Sequence, residues 1–186
     1  SISMGLVVIA SNYLVQFPIK YYNLEELLTY GAFSYPVTFL ITDLANRAFG
    51  KKIARKIVIL GFIIGVLLTL IVSTNFSDLI SIRIAIGSGL AFLVAQNLDV
   101  QIFDRLRNYT WFIAPFFSSL FGSMIDTLLF FFISFYNTEV PWVTLAIGDF
   151  AVKLLIAVLM LIPFRLLLSR IVDIDIYSSS KDFNKI

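Results

Sequence analysis

Six long apolar stretches take up most of this 186-residue chain and leave little room for anything else. Their approximate limits are 2–19, 29–48, 56–75, 80–103, 110–136 and 142–169. Each is near the roughly 20 residues that a helix needs to cross a bilayer core. Hydrocarbon offers no partner to backbone N–H and C=O groups, so stretches of this length are expected to be helices. Composition agrees: charged residues make up 14% and mean hydropathy is +0.93, whereas a soluble domain is about a quarter charged. The expected fold is all-α, a polytopic membrane protein of six transmembrane helices. Residues 1–172 form one domain, because the connections are too short for a second. Residues 173–186 are polar and read as a short cytoplasmic tail. The first stretch lacks a basic flank and a small-x-small cleavage pattern, so it reads as a span and not a signal peptide.

Basic residues set the orientation. Arg47, Lys51, Lys52, Arg55 and Lys56 lie between spans two and three, and Arg105 and Arg107 between spans four and five. Arg165, Arg170, Lys181 and Lys185 lie at the end of span six and beyond it. The opposite side carries only Lys20 and Arg83. The positive-inside rule then places both termini in the cytoplasm. Divided after span three, the chain gives two three-span halves of opposite orientation, a plan shared with transporters built from inverted repeats.

Several ionisable groups sit inside the apolar stretches: Asp43, Asp99, Asp126, Asp149 and Lys153. Each costs about 2.5–3.5 kcal/mol to insert, and such groups face a bundle interior or a polar pathway. They have polar company. Asn12 and Gln16 share a face of span one. Tyr35, Phe39 and Asp43 form a stripe on span two, next to Pro36, which frees a backbone carbonyl. Gln96 and Asp99 share a face of span four, and Ser119, Gly122, Ser123 and Asp126 one of span five. Each pattern has a structural alternative. Small and polar faces serve helix packing. Asp43 with Arg47, and Asp99 with Arg105 or Arg107, can be ion pairs at a helix end. Asp149 and Lys153, four apart, can neutralise each other. Asp126 has no basic residue within four positions, so a purely structural role fits it least. The candidate substrate-binding set is therefore Asn12, Gln16, Tyr35, Asp43, Gln96, Asp99, Asp126, Asp149 and Lys153.

The chain contains no cysteine and no histidine. That excludes thiol nucleophiles, disulfides, Cys/His zinc sites and Ser–His catalysis. No cofactor, no metal and no nucleic-acid partner is expected; the partners are a small molecule and the lipid bilayer. The oligomeric state is not legible. Three readings compete: a small-molecule carrier, including the substrate-capture subunit of an ATP-driven vitamin importer; an intramembrane aspartyl enzyme; and an assembly protein. The paired sequence contexts of intramembrane aspartyl enzymes are absent, as is the Ala-x-x-x-Ala stripe by which capture subunits often dock.

A family resemblance narrows the choice. It is carried by Ser11-Asn-Tyr-Leu-Val-Gln16, Gly31-Ala-Phe-Ser-Tyr-Pro36, Phe39-Leu-Ile-Thr-Asp43 and Phe49-Gly50. It continues through Leu98-Asp-Val100, Ile102-Phe-Asp-Arg-Leu-Arg107, Leu120-Phe-Gly122, Asp126-Thr127 and Phe130-Phe-Phe-Ile133 to Asp149 and Lys153. With these segments the chain resembles the YhhQ-type queuosine-precursor transporters, the vitamin uptake transporter family. Many members are acidic where this chain has Arg47. The resemblance implies a bacterial inner-membrane importer, not an enzyme, for 7-cyano-7-deazaguanine, its aminomethyl relative, or both. The residue chemistry is compatible. A carboxylate accepts the two adjacent N–H groups of a guanine-like base, Asn, Gln or Lys serve its carbonyl and ring nitrogen, and Tyr35 offers a flat neighbour.

Overall fold

The computed structural model describes residues 36–72 and 78–183, and every described element is an α-helix. Helix α1 is Pro36–Val72, α2 is Leu79–Leu106, α3 is Ile113–Phe135 and α4 is Trp142–Phe183. Three stretches are long and apolar enough to cross a membrane: Leu79–Leu106, Ile113–Phe135 and Trp142–Ser169. These match the last three apolar stretches of the sequence.

Helix α1 holds a surprise at Gly50, where φ is 76° and ψ is 171°. Only glycine adopts such a conformation without strain. Before Gly50 the helix advances alongside α2, with Thr42 against Gln96 and Asn46 against Val100. After it the chain retraces its path, and Phe62 and Val66 come to lie against Gly89. The basic connection expected between spans two and three is thus reduced to one non-helical residue. Lys51, Lys52, Arg55 and Lys56 are already helical.

The other ends are set by local chemistry. Asp78 caps α2, its carboxylate accepting from the N–H groups of Ile80 and Ser81 at 3.1 and 3.2 Å, as an N-cap aspartate does. Pro115 lies in the first turn of α3, where a missing N–H costs nothing. Arg83 of α2 donates to the carbonyls of Ile133 and Tyr136, which α3 leaves unbonded at its C-terminus. That contact also shows that α2 and α3 run antiparallel. Asn137 follows with φ 60° and turns the chain into α4. Helix α4 does not stop near 169. It continues to Phe183, through residues read from sequence as a polar tail.

The bundle is apolar outside, and its interior mixes apolar and polar groups. Phe121, Met124, Leu128 and Phe132 form an exposed stripe on α3, and Leu155, Leu159, Ile162 and Leu166 one on α4. The interior combines apolar packing, such as Phe39, Val58, Phe92 and Val100 between α1 and α2, with buried Thr38, Thr42, Asn46, Gln96, Ser118 and Ser123. This inversion of the soluble pattern suits a chain whose solvent is lipid.

Candidate functional site

Two polar clusters lie inside the bundle, linked by one stripe of α3. Ser118, Gly122 and Asp126 are spaced four apart and so fall on one face. Ser118 serves the first cluster and Asp126 the second, about 12 Å further along the helix axis.

The first cluster joins α1, α2 and α3. Asp43 is 2% exposed and Asp99 0%, and the two carboxyl groups are close enough to interact. The Ser118 hydroxyl donates to Asp43 Oδ1 at 3.1 Å. Asp99 lies beside the same serine, but at bonding geometry neither of its oxygens receives a donor among the described residues. A turn before Asp99, the Gln96 side chain is held by two threonines of α1. Its amide donates to Thr38 Oγ1 at 2.8 Å, and its oxygen accepts from Thr42 at 2.6 Å. A cavity of about 10 Å³ opens beside Asp43 and Ser119, walled by Pro36, Pro115 and α4 residues Ala157, Met160, Leu161 and Phe164. It has room for about one water molecule.

The second cluster joins α3 and α4. Lys153 Nζ lies 2.6 Å from Asp149 Oδ2 and 2.9 Å from Asp126 Oδ2, and donates to Thr127 Oγ1 at 3.2 Å. Thr127 in turn donates to Asp149 Oδ2 at 2.7 Å. All four side chains are buried. An ammonium has three donors and a carboxylate only acceptors, so one lysine ties two acids and a hydroxyl together. A buried charge is tolerable only with partners of this kind.

Between the clusters, α3 approaches closely. A Cβ added at Gly122 would sit 2.6 Å from Phe39 Cε1 and 3.4 Å from Asp99 Cβ. Glycine is what lets α1, α2 and α3 meet at this level.

Six of the nine sequence-nominated residues fall within the description, and they sort into both clusters: Asp43, Gln96 and Asp99 in the first, Asp126, Asp149 and Lys153 in the second. Asn12, Gln16 and Tyr35 lie outside the described residues. The Asp149–Lys153 pair read from spacing is present. Asp126, which has no cation nearby in sequence, receives one from the next helix. The arginine pairings offered as alternatives are not formed. Arg47 and Arg107 each donate to the other's backbone carbonyl, at 2.6 and 3.2 Å, and Lys51 and Arg107 flank Asp104 at 3.7 and 3.8 Å. Thr38 and Ser118 do not enter the sequence reading, and Thr42 and Thr127 enter it only within the segments that carry the resemblance. The available signal was spacing: Thr38 and Thr42 are four apart on the helix that carries Asp43, and Thr127 adjoins Asp126.

The family described as "Putative vitamin uptake transporter" matches residues 29–168. A protein of Escherichia coli (strain K12) named "Queuosine precursor transporter" is 36% identical over 192 residues, covering 90% of this chain and 86% of that one. A Haemophilus influenzae (strain ATCC 51907 / DSM 11121 / KW20 / Rd) protein named "Probable queuosine precursor transporter" is 36% identical, covering 84% and 79%. One of the same name from Bacillus subtilis (strain 168) is 27% identical, covering 95% and 86%. No solved structure matches the chain. Matched across most of its length by the family and by two relatives at 36% identity, this chain is a member of the vitamin uptake transporter family.

Proposed function

We propose that the chain is an uptake transporter for queuosine precursors in the bacterial inner membrane. The observation that carries this reading is the 36% identity, over nine-tenths of the chain, to a protein named as such a transporter. The geometry supports it: carboxyl, amide and hydroxyl groups are gathered inside helices whose outer faces are apolar. In this reading the chain crosses the membrane six times as two inverted halves, with both termini in the cytoplasm. It carries its substrate unchanged and is not an enzyme.

The substrate we infer is 7-cyano-7-deazaguanine, 7-aminomethyl-7-deazaguanine or both. Such a base presents two adjacent N–H donors and a carbonyl on one edge. A carboxylate can accept the donor pair, while an amide or ammonium serves the carbonyl. Asp43, Gln96 and Asp99 offer this chemistry in one cluster, and Asp126, Asp149 and Lys153 in the other. Asn12, Gln16 and Tyr35 complete the proposed set. The one-water cavity beside Asp43 is far too small for a base, so admission by that route requires the helices to part. Alternating access by rocking of one half against the other provides that motion.

The test is thermal unfolding of the purified chain against a panel of purines and deazaguanines. A ligand that binds only the native state raises the unfolding temperature with its concentration. Stabilisation by deazaguanines and not by guanine or adenine is expected. Stabilisation by an unrelated vitamin, with no response to deazaguanines, would overturn the assignment.

A further inference from the structure

Asp43 and Asp99 pose a charge problem that the described residues do not solve. Both carboxyl groups are buried and close enough to interact. An ionised carboxylate offers acceptors only. Ser118 supplies one proton, to Asp43, and the oxygens of Asp99 receive no donor among the described residues. No Lys or Arg among the described residues forms an ion pair with either carboxyl, although Arg55 Nε on α1 is itself buried with no hydrogen-bond partner. On α1 and α2, Arg47 and Arg107 bond each other's carbonyls, and Lys51 and Arg107 flank Asp104. Helix α3 carries no basic residue, and its one acid, Asp126, is held by Lys153. On α4, Lys153 sits between Asp126 and Asp149, and Arg165 lies over the Trp111 ring. Two like charges buried this close cannot both persist without a neutralising partner. On the Asp43 side the adjoining cavity has room for about one water molecule.

We propose that the Asp43–Asp99 pair is a proton-binding site. In this packing one carboxyl carries a proton and donates it in a hydrogen bond to the other. When α1 and α2 part to admit a solute, the O–H bond breaks, the proton passes to water, and both groups are left as hydrated carboxylates. Closing the bundle takes the proton up again. A transport cycle that passes through the closed bundle then requires one proton. The opening that admits a solute and the transport cycle rest on the proposed transport function; the shared proton in the closed packing does not.

Infrared spectroscopy of the purified full-length chain reads the site directly. A buried carboxylic acid gives a C=O band separate from the amide bands and shifted in D2O. That band is expected in the wild type, absent in Asp43→Asn and in Asp99→Asn, and retained in Asp126→Asn. In proteoliposomes, exchange of labelled deazaguanine by the wild type should fall about tenfold per pH unit once the site empties. The ratio of acid to alkaline rates should collapse to below about twofold in Asp99→Asn, whatever rate that variant keeps. Absence of the acid band from the wild type, its loss only in Asp126→Asn, or its removal by sodium would overturn the proposal. Sodium removal would identify the occupant as a metal cation instead. A wild type that exchanges no deazaguanine counts against the transport reading alone, and the infrared result then decides the proton site.

Discussion

The two carboxyl pairs of this bundle differ in one feature, a lysine. Asp126 and Asp149 come from different helices and are held by Lys153, so the second cluster is an ion triad with its own counter-charge. Asp43 and Asp99 also come from different helices and are equally buried, but no lysine or arginine among the described residues reaches them. The difference separates two uses of a buried acid. Acids fixed by an internal cation are costly to move apart, because each separation strands a charge. Acids whose neutralising partner comes from solution can change state when water enters. The triad is therefore suited to fastening α3 to α4, and the Asp43–Asp99 pair to responding as α1 and α2 open.

The largest expected effect comes from removing that lysine. Lys153→Met keeps the length and apolar stem of the side chain but leaves Asp126 and Asp149 without their cation. Breaking a buried ion pair on one side costs about 3–5 kcal/mol. The variant should unfold at much lower temperature in detergent than the wild type. Changing Asp126 and Asp149 to Asn alongside Lys153→Met should recover at least half of the loss, since the stranded charges go with the lysine. A Lys153→Met protein as stable as the wild type would erase the contrast between the clusters.

Much of this architecture is visible in the linear sequence, and the reasons for the rest are physical. Apolar runs locate α2, α3 and the start of α4 to within a few residues, because lipid demands continuous apolar surface. The four-residue spacing of Asp149 and Lys153 encodes their pair, since one helix turn brings them together. The link from Lys153 to Asp126 has no such trace. It depends on how two helices dock, 27 residues apart in sequence. The same holds for Asp43 and Asp99: each was nominated from its own span, but their meeting is a property of α1 against α2. Gly50 enters the sequence reading only within the Phe49-Gly50 segment of the resemblance, because a single residue at positive φ leaves no periodic signal. Hydropathy places the end of the last span at 169, where the apolar part of α4 also ends, but the helix itself runs on to Phe183. Its last residues are polar, and hydropathy marks where a helix leaves the apolar layer, not where the helix ends.

A middle-sized effect should follow from filling the space between the clusters. Gly122→Ala adds one methyl group. In an exposed helix this exchange gains up to about 1 kcal/mol. Here the new Cβ would lie 2.6 Å from Phe39 Cε1, and Phe39 is buried among α1 and α2 side chains with little room to retreat. Overpacking of this kind costs about 1–3 kcal/mol. The net change should be a loss of stability, and the displaced contact lies on the Asp43–Asp99 side, 3.4 Å from Asp99 Cβ. Thermal unfolding and the infrared acid band together check this. A loss of stability with a perturbed acid band is expected. A stabilised protein with an unchanged band would mean that α1 and α3 yield easily at this level.

The smallest effect, and the finest test of the comparison, concerns one hydroxyl in each cluster. Ser118 donates to Asp43 at 3.1 Å and Thr127 to Asp149 at 2.7 Å. A buried hydrogen bond contributes about 0.5–1.5 kcal/mol net, and an acceptor left without its donor accounts for much of any loss. Ser118→Ala takes a donor from an acid that has no cation, with only the Ser119 hydroxyl nearby to replace it. It should destabilise the protein by about 1 kcal/mol. Thr127→Val preserves the side-chain shape; Lys153 loses the Thr127 hydroxyl as an acceptor but keeps both carboxylates, and Asp149 keeps Lys153 at 2.6 Å. Although the bond it removes is shorter, the remaining ammonium satisfies the same oxygen. Its cost should be about half that of Ser118→Ala or less. Paired unfolding measurements on the two variants decide the ordering. If Thr127→Val costs as much as Ser118→Ala or more, the lysine is not compensating its cluster, and the contrast between a self-neutralised triad and a pair neutralised from solution no longer holds.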